Sequence, residues 1–188
     1  MTQFVNTAEA VEKEAPDALA SKLLRVSPEM SKSLDLLVDM LSYMRPTKSK
    51  TENSFIHKFI RPLDVKQDKF GNLFKAIGAA PIAWCSHTDT VHDKKGIQVV
   101  GYDGMELGLT AGAVSNCLGA DDTAGVWLMC EMIKAKVPGL YIFHRSEEVG
   151  RLGSKYIAET HAPLLKGIDF AIALDRRGLD NIITHQTG

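Results

Sequence analysis

Four short stretches of this 188-residue chain carry side chains that could do chemistry together. Ser86-His87-Thr88-Asp89 offers an imidazole with a carboxylate two residues on, and Gly119-Ala120-Asp121-Asp122-Thr123-Ala124-Gly125 sets two carboxylates side by side among small residues. Ser146-Glu147-Glu148-Val149-Gly150 repeats the acidic pair, and Leu174-Asp175-Arg176-Arg177 completes the set. Adjacent carboxylates repel, and a cation is the usual reason for a fold to gather them. One imidazole with several carboxylates suits a hard-to-borderline divalent metal, zinc first, with cobalt or manganese as alternatives. Asp89 is placed to take the second imidazole N–H of His87 and fix the tautomer that presents a lone pair to a metal. The side chains of Glu147 and Glu148 diverge, so one can reach the metal while the other faces a water that the metal acidifies. The chemistry this permits is hydrolysis of a polarised carbonyl.

Each stretch taken singly has a plainer reading. Asp121 and Asp122 could be a helix N-cap and its acidic neighbour, stabilised by the helix dipole. Glu147-Glu148 could be a solvated loop, His87 a surface or hydrogen-bonded histidine, and Asp175 a turn acid paired with Arg176 or Arg177. Their joint occurrence favours the metal. Ser86 and Ser146 lack the Gly-x-Ser-x-Gly context of a serine hydrolase. His57 reads as exposed on a helix, His161 as a loop residue before Pro163, and His92 as part of a charged turn with Asp93. His144, at a strand end near the site, is the one further histidine placed to touch substrate.

Composition sets the frame. A 45% hydrophobic, 24% charged chain of this length is one globular domain with a sizeable core. A net charge of -1 gives no electrostatic ground for nucleic acid or an anionic membrane surface. No apolar run approaches the roughly 20 residues of a membrane span, and the N-terminus lacks the pattern of a secretory signal. Cys85, Cys117 and Cys130, without CxxC spacing, read as idle thiols in a reducing cytoplasm.

The elements that must position the four stretches follow from periodicity. Residues 1–29 are weakly patterned and read as a loosely ordered arm ahead of a domain at 30–188. Leu34, Leu36, Leu37, Met40, Leu41 and Met44 predict a helix from Ser31, closed by Pro46. A second helix is predicted at 52–60, a hairpin at 65–67 and 73–77 around Gly71-Asn72, and a strand at 81–85 delivering His87. Residues 96–102 and 105–109 flank Asp103-Gly104 as another hairpin. An amphipathic helix at 123–136, a strand at 140–143, a helix at 154–160 and a third buried strand at 168–174 follow, with a strand-like run at 181–184. Strands alternating with helices predict a three-layer α/β/α fold around a mostly parallel mixed sheet. Asp121, Glu148 and Asp175 recur at intervals of about 27 residues, the length of a strand–helix–strand unit. Ligands are therefore expected where successive strands end on one sheet edge, the usual ligand crevice of such sheets.

His87-Thr88-Asp89, the Gly119–Gly125 stretch, Glu147-Glu148-Val149-Gly150 with Gly153-Ser154, and Asp175 together resemble the di-zinc exopeptidase superfamily. That superfamily includes peptidase T, the glutamate-releasing carboxypeptidases and the bacterial leucyl aminopeptidases. His-Thr-Asp-Thr-Val is similar to peptidase T, and Glu-Glu-Val-Gly-Arg-Leu-Gly-Ser to the leucyl aminopeptidase branch. The resemblance implies a metallopeptidase acting on short peptides or N-acyl amino acids, an exopeptidase with two zinc ions, and it admits a homo-oligomer. It implies metal ligands His87, Asp121 (bridging), Glu148 and Asp175, with Glu147 as general base, Asp89 behind His87 and Asp122 as a support. It also implies a cis Asp121–Asp122 peptide bond. The superfamily's last ligand is a histidine nearer the C-terminus. His185 comes too early for it, and the usual Gly-Arg-Gly before the bridging aspartate is absent, so the resemblance implies that part of the catalytic domain lies beyond Gly188. The alternative is a catalytically silent homologue that uses the scaffold for binding or assembly.

Overall fold

The structure, a computed structural model, describes residues 28–103, 105–178 and 182–184. The arm expected at 1–29 falls almost entirely outside them, as does His185. The first described helix, α1 (Pro28–Leu41), starts three residues ahead of the predicted Ser31. It stops short of Pro46. Tyr43–Met44 instead form β1, paired antiparallel with β5 (Gly96–Ile97). The Arg45 N–H is drawn off to Thr90 Oγ1 and His92 Nδ1, and a residue before proline is biased to extended geometry, so the helix cannot continue. Helix α2 (Lys50–Phe55) is capped by Ser49, whose side chain accepts from the Glu52 N–H. It runs on as a π-helical turn (Ile56–Ile60) and a 3₁₀ turn (Arg61–Leu63) that ends at Pro62-Leu63.

The central sheet contains β2 (Lys66–Gln67), β3 (Leu73–Ile77), β8 (Gly139–His144), β4 (Ile82–His87) and β9 (Phe170–Ala173), in that spatial order. β4, β8 and β9 are parallel, while β2–β3 and β3–β8 pair antiparallel. From β4 the chain passes through α3 (Ala120–Lys134) to β8 on one side, then through α4 (Leu152–Thr160) to β9 on the other. Right-handed crossovers running in opposite directions must place their helices on opposite faces. Side chains agree: Val126 and Met129 of α3 pack with Leu73, Tyr141 and Phe143, whereas Ile157 of α4 packs with Phe74, Ala83, Leu140 and Ile142. Three layers result, and the sheet reverses its winding at β4. Its carboxyl end, at His87, is the switch point where open α/β sheets hold ligands.

Three expectations need correction. Residues 96–102 do not form one strand of a hairpin. Gly96–Ile97 joins β1, buried Gln98 breaks the run by donating to the carbonyls of Leu41 and Leu118, and only β6 (Val100–Tyr102) pairs with β7 (Leu107–Leu109). The strand expected to be buried at 168–174 is β9, an edge strand exposed along its length, with Phe170 66% accessible. It is bonded on the β4 side only among the described residues, so its apolar run is not covered as a central parallel strand would be. Residues 182–184 form no strand. No helix among the described residues is long and apolar enough to cross a membrane.

Candidate metal centre

His87 closes β4 and is 2% accessible. Its Nδ1 lies 2.9 Å from the Asp89 backbone carbonyl, which can only accept, so Nδ1 carries the proton. Nε2 then points outward, 3.0 Å from Asp121 Oδ1 and 3.8 Å from Asp175 Oδ2. One ligand atom from each of His87, Asp121 and Asp175 fits within 4.8 Å. Burial pulls the imidazole pKa down, but Asp89, Asp122 and Asp175 outweigh it and raise it to about 10.

Asp121 does not stand at the end of a strand, as the 27-residue interval suggested. It sits at the start of α3, brought over the β4 carboxyl end by the crossover, and its side chain is 68% exposed. The Asp121–Asp122 peptide bond is cis. Asp122 turns inward, where Ser86 Oγ, the His87 N–H (3.1 Å) and the Gly125 N–H (3.0 Å) donate to its carboxylate. Burial first, and Asp175 after it, push this carboxyl up to about 7 despite those donors. Gly125 is required by this packing, because a Cβ there would overlap the Asp122 carboxylate and the Leu174 carbonyl.

Glu147 and Glu148 leave β8 through Ser146, which takes a positive φ of 60°. Both of their backbone N–H groups donate to Asp89, at 3.0 Å and 3.3 Å. Asp89 therefore acts on His87 through its carbonyl, while its carboxylate, 3.7 Å from Nδ1, ties down the acidic loop and accepts from Thr47 Oγ1. Burial raises the Asp89 pKa, but His87 first, then Thr47 and the Glu147 N–H, outweigh it, so the group stays below its ordinary value. Glu148 is the opposite case. Its Oε1 is buried with no hydrogen-bond partner, and burial, then Asp121, Glu147 and Asp89, raise its pKa to about 7. Asp175 follows β9 and stands above its ordinary value through burial and the nearness of Asp121. Glu147 lines a cavity of about 290 Å³ beside His87 and Asp175, with His144, Arg151 and Ser154 on its other walls. Burial and the charge on His87 bring His144 down to about 4, so it stands neutral in that wall.

His87, Asp121 and Asp175 thus converge on one sheet edge, and Glu148, not one of that group, feels the charges of His87 and Asp121. His92 departs from expectation. It is buried, accepting at Nδ1 from Thr90 Oγ1 and the Arg45 N–H, with Nε2 facing the carbonyl oxygens of Cys117 and Gln98. It packs against Gly119 (φ 71°), where a Cβ would strike its ring, and so seats the approach to Asp121. The cysteines are free, and burial raises Cys85 to about 11 and Cys130 to about 12, as suits inert thiols. Sequence reasoning missed Arg45 and Glu52, both 0% exposed, and Arg145. Ser49-x-x-Glu52 has capping-box spacing and could have flagged Glu52. No pattern announces a buried Arg45.

Donor types, convergence and an unpartnered buried carboxylate oxygen all fit a divalent cation. Among solved structures, the chain is similar to a tripeptidase from Staphylococcus aureus, at 23% identity over 78% of this chain and 43% of that one, with a TM-score of 0.62. The fold is shared with that peptidase. An aminoacylhistidine dipeptidase from Vibrio alginolyticus (18% identity, 74% of this chain and 32% of that one, TM-score 0.48) also matches. So does the TET1 peptidase of Pyrococcus horikoshii (19%, 78% and 68%, TM-score 0.44). The chain therefore spans less than half the length of the tripeptidase and the dipeptidase. No protein-family model and no curated protein sequence matches the chain.

Proposed function

We propose that this chain carries most of the centre of a metal-dependent peptidase that hydrolyses short peptides or N-acyl amino acids from one end. The observation that carries the reading is the meeting of His87, Asp121 and Asp175 within 4.8 Å, beside a buried Glu148 oxygen that has no donor. His87 Nε2, Asp121, Asp175 and Glu148 would hold divalent metal, with zinc the ion their donor set suits first. Bound divalent metal supplies polarisation of the scissile carbonyl and acidification of water. The chain's own residues do the rest. The Asp89 carbonyl holds the proton on His87 Nδ1 and keeps Nε2 directed at the site. Glu147, on the cavity wall beside His87, takes the proton of the attacking water on its carboxylate and returns it to the leaving amine nitrogen. Asp122 shapes the turn beneath His87 by accepting from its backbone N–H.

The test is elemental analysis with peptide and aminoacyl-amide hydrolysis assays on the full-length protein. About two equivalents of zinc, and a Glu147→Gln variant that keeps them while losing activity by about 10²–10⁴-fold, are expected. A folded protein with no bound metal after zinc reconstitution would refute the reading and leave the silent-scaffold alternative.

A further inference from the structure

Two site-bearing segments meet around one side chain that the proposed chemistry does not use. Glu52 is completely buried, and both its oxygens are fully engaged. Oε1 accepts from Thr88 Oγ1 at 2.6 Å and from Arg145 Nε at 3.0 Å. Oε2 accepts from Arg145 Nη2 at 2.5 Å and from the Lys48 N–H at 2.6 Å. Arg145 also donates to Asn53 Oδ1, and its own N–H is held by Asn72 Oδ1. Beyond this carboxylate the bonds close into a ring. Arg145 precedes Glu147 by two residues, the Glu147 and Glu148 N–H groups donate to Asp89, Asp89 follows Thr88, and Thr88 returns to Glu52. Arg45 braces the ring by donating to the Thr88 carbonyl and to Thr123 Oγ1, which in turn donates to the Gly119 carbonyl ahead of Asp121.

A buried ion pair of this kind adds little net stability over an apolar replacement, because desolvation offsets most of the attraction. What it fixes is geometry. The bidentate Arg145 fork sets one orientation, and Thr88 sets the other. Stability alone is therefore a poor account of a carboxylate placed where the Asp89 loop and the Glu147–Glu148 loop come together.

We propose that Glu52, through Arg145 and Thr88, is a positioning residue that locks the Asp89 and Glu147–Glu148 loops in one register and so sets the geometry of the metal centre. The claim about metal geometry rests on the peptidase reading above; the lock itself does not.

Glu52→Gln and the milder Arg145→Lys, which keeps the charge but loses the fork, are compared with the unsubstituted full-length protein by amide hydrogen exchange and by titration with Zn²⁺ alone. The Glu147 and Glu148 amides should exchange about 10–100-fold faster in Glu52→Gln, the equivalent of one lost charge-assisted hydrogen bond. Tyr141 and Ile142 in β8 should change little, and Arg145→Lys should fall between. Zn²⁺ should bind about 10–100-fold more weakly, as when a residue supporting a metal ligand is removed, and the visible spectrum of bound Co²⁺ should shift. If exchange at 147 and 148 rises no more than at 141 and 142, in whichever variant folds, the lock is overturned. Unchanged Zn²⁺ affinity with faster loop exchange overturns the link to the metal. An unsubstituted protein that takes up no Zn²⁺ overturns the metal reading instead, and the exchange data still decide the lock.

Discussion

Replacing Asp175 by Asn should have opposite consequences with and without metal. In the metal-free chain the two strongest charges acting on Asp175 are of opposite sign. At the outer distance of 4.8 Å, repulsion from Asp121 is about 0.9 kcal/mol at the dielectric of water and about 3.5 kcal/mol at an effective value near 20. Attraction to His87, protonated in the absence of metal and 3.8 Å away, is about 1.1 to 4.4 kcal/mol on the same two scales. Asp175 is partly exposed, so screening draws both toward their lower ends. The two nearly cancel. Burial then decides the sign, and it holds the carboxyl above its ordinary value, so the charged form is disfavoured in the fold. Asp175→Asn should leave metal-free stability unchanged or raise it by up to about 1 kcal/mol.

With zinc the order reverses. At a free concentration of about 100 times its Kd, zinc contributes about 2.7 kcal/mol to the unsubstituted protein. For a chain of this length that is a rise of about 5–11 °C in Tm. A variant binding about 100-fold more weakly gains only about 0.4 kcal/mol, or about 1 °C, at the same concentration. Scanning calorimetry of both proteins, with EDTA and with zinc, reads all four values. The reasoning fails if Asp175→Asn lowers the metal-free Tm by more than about 4 °C, equivalent to about 1–2 kcal/mol, or if zinc raises both proteins equally.

Other substitutions probe the supports. Arg45→Met keeps a long apolar stem over the Phe55 ring but leaves the Thr88 and Met40 carbonyls and Thr123 Oγ1 without their donor, beside a buried Glu52. Breaking one side of such a network should cost about 3–5 kcal/mol, a fall of about 6–20 °C in Tm; a stabilised variant would mean that the network carries no coupling. His92 gives a pH signature. Burial and the neighbouring Arg45 charge depress its folded pKa below the 6.5 of the unfolded chain, although Gln98 and the Cys117 carbonyl oppose this. The unfolded state therefore takes up the proton first, so His92's contribution is complete above that value and lost as pH falls from it toward the lower folded value. Thermal midpoints should drop less steeply for His92→Gln than for the unsubstituted protein between about pH 7 and pH 5; parallel profiles would contradict the assignment.

Much of the fold was legible because its signals are local. The hairpin around Gly71-Asn72, the β4 strand ending at His87, α3 after Asp121-Asp122 and α4 after Gly150 each announce themselves by turn residues or apolar period. What failed was decided by distant partners. Tyr43 and Met44 continue the helical spacing of α1 but leave it to pair with Gly96 and Ile97, a contact no local window contains. His92 reads as part of a charged turn beside Asp93, yet the fold closes Gln98, Cys117 and Arg45 around it. Asp89 was assigned to His87 by its side chain, which lies 3.7 Å from Nδ1, but its backbone carbonyl is the nearer partner and its carboxylate also holds the acidic loop. Residue types located the candidate site; the division of work between backbone and side chain needed coordinates.

The acids of the site separate by their donors. Asp89 and Glu52 are buried, and each is surrounded by hydrogen bonds: backbone amides and Thr47 for one, Arg145, Thr88 and the Lys48 amide for the other. Such carboxylates are already solvated by protein and have no need of a cation. Asp122 is intermediate, with three donors but enough burial to bring it up to about 7. Glu148 has a buried oxygen with no donor, and Asp175 faces Asp121, with His87 offsetting the repulsion. Their presence together beside His87, within a frame of acids that are fully satisfied, fits a cation site.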